Sequence, residues 1–388
     1  MSLTIHNHTK LPTRNMVDQL YRCVRAVFGR TAVDITSAAC EDIGYETPNF
    51  TTAGVYHLHG NANVDYMQQL PWSLILKVIQ QDSTEKDEAQ HHNYWRREAL
   101  VFKSGILKNL PESVQAPECY LVEEQPDGTI WLWMERVRGE SPASLEQFEG
   151  VAFQLGRFNG AYLTGKELPR AEWICRNWLK SWTTASRLYA PDTAAYVSTL
   201  HKKHETDIWA WYQDFLEQTG DHVHTLQALP RVLAHQDLSQ MNILRHCDAS
   251  RRDPLMLIDW QFMSISGTGE DLGKLYGVNM SLGVIPVHEY ETFGEALFSA
   301  YMAGLSDAGW QGSKEYARYG YCMSTALRSV WEVPQFFSAA EQLDSDPHNA
   351  GLQERYTRLE EIIKVHMQMA GEADMLRMAG RSSGGDWR

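Results

Sequence analysis

The spacing of apolar side chains changes along the chain, from an opening helical repeat to short alternating segments and then to long helical stretches. In the opening part, Met16, Leu20, Val24 and Val27 recur three or four residues apart, with charged side chains between them. Apolar residues at this spacing share one face of an α-helix. The pattern therefore predicts an amphipathic helix over residues 12–29.

Short apolar segments bounded by turn residues follow this helix and predict strands. Residues 54–60 and 72–79 fit strands, and residues 61–71 between them fit a hairpin loop. A charged stretch then opens a predicted helix over 82–104. A second hairpin follows, with its turn at residues 127–128 and an apolar strand after it.

Arg138 and the Gly and Pro residues after it break this pattern, and we place a lobe boundary there. Beyond it, helical spacing dominates and short strands interrupt it over 231–262. The Gly- and Ser-rich tail from Gly371 is expected to fray. The prediction is an α+β fold with a small β-rich lobe over 1–138 and a larger, mostly helical lobe over 139–388. The predicted helices of the second lobe are 145–164, 172–189, 192–219, 287–305, 313–332 and 351–370.

Composition narrows the class of protein. The chain has 388 residues and a net charge of −14, which argues against nucleic acid as the main partner and mildly favours a cationic substrate. The six cysteines are scattered without metal-site spacing, which predicts reduced thiols in a cytoplasmic protein. No signal-peptide pattern and no apolar run of about 18 residues is present, so no membrane partner is expected. The oligomeric state is left open.

The most informative polar residues lie beside short apolar runs in the interrupted region. Asp237 follows the apolar run 232–234, Asn242 comes five residues later, and Asp259 closes another apolar segment seventeen residues after Asn242. Metal-assisted phosphoryl transfer needs a carboxylate to orient the attacking hydroxyl, and an amide oxygen with a second carboxylate to hold Mg²⁺. A polar loop whose Asp and Asn side chains cap turns is the alternative interpretation.

The same pattern, His235-x-Asp237 followed by Asn242 and then Asp259, resembles the catalytic motif of the aminoglycoside phosphotransferase and choline kinase family. That resemblance implies a protein-kinase-like fold and transfer of the γ-phosphoryl group of ATP, with Mg²⁺, to a hydroxyl of a small molecule. It makes Asp237 the catalytic residue and makes Asn242 and Asp259 the Mg²⁺ ligands. It also covers roughly residues 40–280 by the order of its motifs.

Other residues of this loop are expected to support it. His235 is expected to pack and hydrogen-bond the loop rather than to transfer protons. Gln236 stands where the resembled family usually has glycine, which restricts the backbone without removing a catalytic atom. The resemblance also implies that Asp271 braces the loop through backbone N–H groups, with a helix N-cap as the alternative.

Lys77 lies inside the apolar segment 72–79. An unpaired ammonium is costly to bury, so this position predicts either a lysine with a charged partner or one on a solvent-facing strand. The resemblance implies that Lys77 contacts the phosphates of ATP and that Glu98, on the following helix, pairs with it. Glu88 is the alternative partner.

The remaining nucleotide contacts also come from the resemblance. Residues 46–54 occupy the place of the phosphate-binding loop, but contain a single glycine. Thr51 and Thr52 are therefore predicted to bind the phosphates through hydroxyls and backbone N–H groups, with an ordinary polar turn as the alternative. Glu135 and Val137 fall at the hinge, where backbone groups would hydrogen-bond adenine.

The acceptor is the open part of the prediction. An aminoglycoside or similar aminated sugar is the first choice, with choline, an amino alcohol, a macrolide or another natural product as alternatives. Glu332, Glu205 and Asp207 are expected to be solvated surface residues rather than amine contacts. A catalytically silent nucleotide-binding protein of the same fold is the rival from another class.

Two groups of residues suggest a metal site or a ligand pocket at first, but neither is predicted to form one. The histidine pairs 57/59 and 91/92 are expected to lack the companion ligands of a metal site, so no metal site is predicted at either pair. The Trp-rich helices between residues 173 and 211 are expected to pack in the core rather than to line a ligand pocket.

Overall fold

The computed structural model describes residues 5–382, apart from residues 8, 10, 12–15, 45–50, 66–67, 246–249 and 251. The N-terminal part is rich in strands, and the longer C-terminal part is mostly helical, which confirms the predicted α+β architecture. The lobe boundary at residue 138 stays a prediction. The elements of the N-terminal part are β1 (Ile5–Asn7), α1 (Val17–Phe28), β2 (Val33–Asp42), β3 (Thr52–Val64), β4 (Gln68–Ile79), α2 (Arg97–Ser104), β5 (Val114–Gln115), β6 (Cys119–Glu124) and β7 (Ile130–Glu135).

Six of these strands form one sheet in the order β1-β2-β3-β4-β7-β6. Strands β1 and β2 run parallel, and the other neighbours run antiparallel. Along β4, Leu74, Leu76 and Val78 pack into the core shared with α1. Because side chains alternate along a strand, Ile75 and Lys77 point to the opposite face of the sheet. One face of β4 therefore packs in the core, and the opposite face carries Lys77.

Helix α1 is confirmed over Val17–Phe28, and the predicted residues 12–15 lie outside the described part of the chain. Its apolar side, which includes Leu20 and Val24, is fully buried against the sheet. The helix ends at Gly29, whose φ of 60° is left-handed. Glycine adopts this conformation at little cost and commonly ends helices.

The predicted loop over residues 61–71 is wrong. Strand β3 continues to Val64 and β4 starts at Gln68, so the two strands pair across most of that segment. The exposed or half-buried Asn61 and Asn63 alternate with the buried Ala62 and Val64. Polar residues in this segment therefore form the solvent face of a long hairpin, and the loop is confined to its tip.

The predicted helix over residues 82–104 is helical only in its last third, as α2. The preceding segment contains a short 3-10 turn over Glu85–Asp87 and further turns. Carbonyl groups of this segment accept hydrogen bonds from a side chain instead of from helical N–H groups. The buried guanidinium of Arg97 donates to the carbonyls of Ala89, His91 and His92. A buried cation that needs several acceptors thus stabilises a turn in place of helical hydrogen bonds.

The C-terminal part contains nine helices in the described residues, with two small sheets inserted after the fourth of them. Its elements are α3 (Leu145–Leu163), α4 (Trp178–Tyr189), α5 (Ala194–Val197), α6 (Lys203–Ala228), β8 (Arg231–Ala234), β9 (Ile243–Leu244), β10 (Leu255–Leu257), β11 (Ser264–Gly267), α7 (Glu270–Ser281), α8 (Tyr290–Asp307), α9 (Lys314–Ala326), α10 (Ser329–Ser345) and α11 (Ala350–Ser382). Strand β8 pairs with β11, and β10 lies between β5 and β9.

Several predicted helix boundaries in this part are wrong. The helix predicted from residue 172 starts at Trp178, because the backbone of Cys175 instead pairs with the strand at Ser264. The helix predicted over 192–219 is a single turn followed by α6. Helix α6 keeps burying residues every three or four positions as far as Leu226.

Two further differences concern the C-terminal helices. The helix predicted over 313–332 is divided between α9 and α10. The tail from Gly371 does not fray in the described residues, because α11 continues to Ser382. Ala373 is fully buried, and Glu372 accepts hydrogen bonds from Arg318 at 2.6 Å. Tertiary contacts therefore hold a segment whose composition suggested disorder.

The large apolar core of the C-terminal part lies among α3, α7, α8 and α9. Trp178 is buried in it, which agrees with the predicted packing role of the Trp-rich helices. Among the described residues, no helix combines the length and apolarity that crossing a membrane requires. The five cysteines in the described part of the chain are free thiols.

Candidate active site

Lys77 makes two ion pairs at the junction of the sheet and the helical part. Its ammonium lies 2.7 Å from a carboxylate oxygen of Glu98 and 3.0 Å from one of Asp259. Burial opposes the charge of Lys77, but Asp259 and Glu98 outweigh burial and raise the pKa of its ammonium. The predicted pairing of Lys77 with Glu98 is therefore confirmed, and Glu88 is not the partner. The additional pair joins Lys77 to a residue 182 positions later in the sequence.

Helix α2 and β4 place the first of these pairs. Trp95 and Ala99 pack on the face of the sheet that carries Lys77, in a core with Leu132. This packing holds Glu98 over the strand, where its side chain is almost fully buried. A carboxylate buried this deeply needs a cationic partner, and Lys77 supplies it.

The register of a small hairpin brings Asn242 and Asp259 to one site. Leu257 pairs with Ile243, and the N–H of Ile258 donates to the carbonyl of Asn242 at 3.0 Å. Asn242 immediately precedes β9 and Asp259 follows shortly after β10, so both lie at the same end of the hairpin. Asp259 has a left-handed φ of 61°, which is uncommon outside glycine and is found at functional sites.

The predicted catalytic loop, between β8 and β9, is held by a buried carboxylate. Asp271 accepts the backbone N–H of His235 at 2.9 Å and that of Gln236 at 2.8 Å, which confirms its predicted bracing role. Gln236 has a φ of 60°, the left-handed conformation that glycine adopts most readily. Its amide donates to Ser266 at 3.0 Å, so a side-chain hydrogen bond helps to hold a backbone conformation that glycine would adopt unaided.

His235 contributes structure to this loop. Its Nε2 lies 3.1 Å from the carbonyl of Ile258, and its Nδ1 accepts the N–H of Asp237 at 3.2 Å. These two contacts together require the neutral tautomer with the proton on Nε2. Burial lowers the pKa of His235 to about 4, so the ring stays neutral. The geometry matches the expected role of packing and hydrogen-bonding the loop.

Asp237 lies at the tip of the loop and keeps 24% of its side-chain surface exposed. The Asn242 side-chain amide donates to the backbone carbonyl of Asp237 at 3.0 Å, which ties these two predicted site residues together. The ammonium of Lys274 lies 3.9 Å from the Asp237 carboxylate. Burial raises the pKa of Asp237 to about 6, and the charge of Lys274 opposes that rise.

Lys274 and Asn279 are site residues that the sequence prediction missed. Both lie on α7, on the side that also carries Asp271, and Asn279 accepts the N–H of Gln240 and donates to the carbonyl of Leu238. Helix α7 therefore supports the catalytic loop at three points. The spacing of Asp271 and Lys274, one helical turn apart, is the signal that could have indicated Lys274.

A cavity of about 420 Å³ lies beside these residues. Lys77, Glu98, Asn242 and Asp259 line its polar end. Its remaining walls are mostly apolar and include Val55, Ile75, Met134, Leu244 and Ile258. Its volume falls in the range of roughly 300–1,000 Å³ that small-molecule sites occupy.

The predicted hinge residues and the predicted phosphate-binding threonines lie in different surroundings. Glu135 and Val137 line the cavity, as a hinge position requires. Thr51 is fully buried, and its hydroxyl accepts a hydrogen bond from Gln261 at 2.9 Å. Thr52 begins β3, and residues 45–50 lie outside the described part of the chain. Phosphate binding by Thr51 and Thr52 stays a prediction.

The donor set fits a nucleotide with a divalent cation. An apolar slot ending in Lys77 suits a flat base followed by anionic phosphates. The amide nitrogen of Asn242 donates its hydrogen bond to the Asp237 carbonyl, so the amide oxygen is the side-chain atom that can bind a metal ion. That oxygen and the Asp259 carboxylate are the hard ligands that Mg²⁺ prefers.

Two acidic residues expected on the surface are buried instead. Glu332 is paired with Arg328 at 3.0 Å, and Glu205 accepts hydrogen bonds from Lys202 and Tyr356. Both carboxylates are neutralised inside the helical part. The exposed Asp207, which pairs with its helix neighbour Lys203, agrees with the expectation of a solvated residue.

The prediction that His57 and His59 lack a companion ligand is wrong. Strand β2 pairs with β3 so that Glu41 lies opposite His57. Ligand atoms of the three residues lie within 4.8 Å of one another. The companion comes from a neighbouring strand, so spacing along the chain does not reveal it.

Comparisons with known proteins agree with this geometry. The sequence profile of the phosphotransferase enzyme family matches residues 75–316. The structure of a microcompartment-associated aminopropanol kinase is similar to this chain with a TM-score of 0.53 and 14% identity, over 90% of this chain and 97% of that one. The amicoumacin kinase hAmiN, solved with AMP-PNP, Ca²⁺ and Ami, is similar with a TM-score of 0.50 and 14% identity, over 82% and 89%. No curated protein sequence matches this chain significantly. At these identities the two structures support the fold alone.

Proposed function

We propose, on the premise that this chain belongs to the phosphotransferase enzyme family, that it transfers the γ-phosphoryl group of ATP, with Mg²⁺, to a hydroxyl of a small molecule. The family membership confirms the resemblance carried by the sequence motifs and makes the chain a phosphotransferase. The nucleotide, the metal and the acceptor are the parts that we propose.

One observation carries the proposal. Four polar residues that the motifs single out, Lys77, Glu98, Asn242 and Asp259, line one end of a single cavity, and Asp237 is hydrogen-bonded to this set through Asn242. They come from four separate segments of the chain. Phosphoryl transfer depends on positioning and on charge stabilisation more than on covalent chemistry, so this convergence is what the reaction requires.

Each residue of the set has a role that its contacts support. Bound ATP and Mg²⁺ would supply the transferred phosphoryl group and offset its charge. Lys77, held by Glu98, would contact the nucleotide phosphates, and Asn242 with Asp259 would hold the metal. Asp237 would accept a hydrogen bond from the acceptor hydroxyl and take up its proton. Lys274 would keep Asp237 ionised and add positive charge where phosphate oxygens gather.

For the acceptor, we propose an aminoglycoside or a related aminated sugar first. The net charge of −14 supports a cationic acceptor through long-range attraction. The faces of Trp178 and Trp182 do not support an aromatic site for a quaternary ammonium, because Lys274 and Arg328 already lie over them at 5.1 Å and 5.8 Å. These two rings therefore supply no cation–π site that would favour choline.

The test is Mg²⁺-dependent phosphate transfer from ATP across a panel of acceptors, with product mass measured directly. The panel includes aminoglycosides, amino alcohols, choline, a macrolide and homoserine. Gain of one phosphate on an aminated sugar supports the whole proposal, and gain on another class corrects the acceptor alone.

Failure of transfer is informative when nucleotide binding is measured on the same sample. Thermal stabilisation by ATP and Mg²⁺ without any product on a broad panel would favour the rival, a catalytically silent nucleotide-binding protein. Absence of both transfer and stabilisation would overturn the proposed nucleotide site. The Lys77→Met variant serves as the control, because it removes the charge that the phosphates would contact.

A further inference from the structure

We propose that Glu41, His57 and His59 form a binding site for a zinc-class divalent cation, separate from the Mg²⁺ site proposed above. The three residues lie on β2 and β3, on the side of the sheet that faces the cavity. Two imidazoles and one carboxylate are a recurrent ligand set for zinc, with the fourth position left to water or another ligand. Nitrogen ligands also favour zinc-class metals over Mg²⁺.

The distances suit one ion. His59 Nε2 lies 3.4 Å from Glu41, and His57 Nδ1 lies 3.8 Å from the other oxygen of the same carboxylate. Ligand atoms around a tetrahedral zinc, each about 2.0–2.2 Å from the metal, lie about 3.3 Å apart. The two imidazole rings are stacked with centroids 4.5 Å apart, so they lie side by side next to the carboxylate. The three ligand atoms, which lie within 4.8 Å of one another, would have to move to that spacing around an ion.

One ligand atom also lacks a hydrogen bond. His59 Nε2 is buried and makes no hydrogen bond within the described part of the chain. Buried polar nitrogens are nearly always satisfied by a hydrogen bond or a ligand, whereas the 3.4 Å contact of His59 Nε2 with the Glu41 carboxylate is not a hydrogen bond. A metal ion between His59 and Glu41 would satisfy that nitrogen.

One outer contact of His57, with Ser73, is of the kind that a metal-binding histidine makes. Its Nε2 lies 2.9 Å from the hydroxyl of Ser73, on the neighbouring strand β4. Histidines that bind a metal through one nitrogen usually donate a hydrogen bond from the other, which fixes the ring orientation. Ser73 would accept that hydrogen bond when His57 Nδ1 binds the ion.

Arg136 would change its contacts when this site binds a metal ion. Its guanidinium donates to the same Nε2 of His57 at 2.8 Å, which requires this nitrogen to be unprotonated. When Nδ1 binds a metal, the proton of His57 moves to Nε2 and the hydrogen bond from Arg136 is lost. Arg136 also lines the cavity beside Val137. Metal binding would therefore free a cation at the rim of the proposed nucleotide site.

The experiment uses tag-free, nucleotide-free, full-length protein titrated with Co²⁺ or Zn²⁺ alone. Co²⁺ should give the visible absorption of a four-coordinate nitrogen and oxygen site at a stoichiometry of one, and Zn²⁺ should displace it. His59→Gln and Glu41→Gln should abolish the signal. The matched control is His91→Gln, which changes one member of another histidine pair, with ring centroids 4.3 Å apart.

Two further variants distinguish a specific metal site from non-specific metal binding. Ser73→Ala should weaken Zn²⁺ binding by about 10- to 100-fold, the usual effect of losing an outer hydrogen bond. Arg136→Ala should strengthen binding, because it removes a competitor for His57. Retained binding in His59→Gln, or no binding by the unaltered protein, would overturn the proposal. Asp259→Asn should bind Co²⁺ normally, which keeps this test independent of the proposed nucleotide site.

Discussion

The ammonium of Lys274 lies 3.9 Å from the carboxylate of Asp237, one helical turn along α7 from the residue that braces the catalytic loop. Burial lowers the pKa of Lys274 to about 8, although the Asp237 carboxylate opposes this fall. The charge of Lys274 is therefore present at neutral pH and is lost as the pH rises through that value. This pair makes the proposed reaction sensitive to pH on its alkaline side.

We predict that kcat/KM is constant near neutral pH and falls above about pH 8, because the deprotonated Lys274 no longer supports the ionised Asp237. Lys274→Met should lower activity and abolish the alkaline fall. The loss of activity at low pH, where Asp237 becomes protonated, should also move to higher pH in this variant, because the charge of Lys274 lowers the pKa of Asp237. The measurement is a pH profile of transfer for both proteins. Lys180→Met, at an exposed position of α4, is the control, and an alkaline fall that persists in Lys274→Met would refute the role.

Asp237→Ala is expected to bind nucleotide but to lose transfer by about 10²- to 10⁴-fold, the range that a positioned general base contributes. The backbone carbonyl that Asn242 contacts remains in this variant, so the rest of the site should persist. Single-turnover rates and thermal stabilisation by ATP would be compared with the unaltered enzyme. Unchanged turnover with a verified acceptor would exclude Asp237 as the base.

Asp259→Asn is expected to abolish Mg²⁺-dependent turnover while the protein stays folded. Lys77 keeps its 2.7 Å pair with Glu98 in this variant, so no buried ammonium is left without a partner. Transfer rates at increasing Mg²⁺ concentration and circular dichroism would be measured together. Asp207→Asn changes an exposed aspartate and should behave as the unaltered protein. Full activity of Asp259→Asn would remove this residue from the metal site.

Two glycine substitutions should change stability in opposite directions. A Cβ at Gly156 in α3 would come within 2.2 Å of the carbonyl oxygen of Tyr301 in α8, so Gly156→Ala should force the two helices apart at a cost of about 1–3 kcal/mol. Gly220 in α6 has open space around its Cβ position, and Gly220→Ala should stabilise by about 1 kcal/mol through helix propensity. Urea unfolding of both variants would check the pair. Equal effects would mean that the helix contact is not tight.

The sequence predicted the parts of the site whose partners lie within one motif or one regular element. The spacing from His235 to Asp259 identified the loop, and the lone lysine of an apolar strand identified Lys77. The strand over residues 72–79 and the helical repeat along α1 follow from local hydrophobic patterns, and both were predicted correctly. Thr51 and Thr52 remain untested, because the loop before them lies outside the described residues.

The errors share a cause. The segment 82–96 has the composition of a helix, but the buried guanidinium of Arg97 draws its carbonyls into turns. The tail from Gly371 has the composition of a frayed end, but Arg318 and the core of α9 hold residues 371–382 as a helix, and residues 383–388 lie outside the described part of the chain. In each case a contact from outside the segment outweighs its local preference, which is worth only about 1 kcal/mol or less per residue.

By itself, the sequence determined the class of fold and predicted which residues would carry phosphotransferase chemistry, because motif spacing and hydrophobic periodicity are properties of neighbouring residues. Only the tertiary structure decided that Lys274 lies beside Asp237, that Lys77 also pairs with Asp259, and that Glu41 joins His57 and His59. These juxtapositions depend on strand register and on the packing of helix faces. Both are set by the burial of apolar residues across the whole molecule, which no local pattern along the chain records.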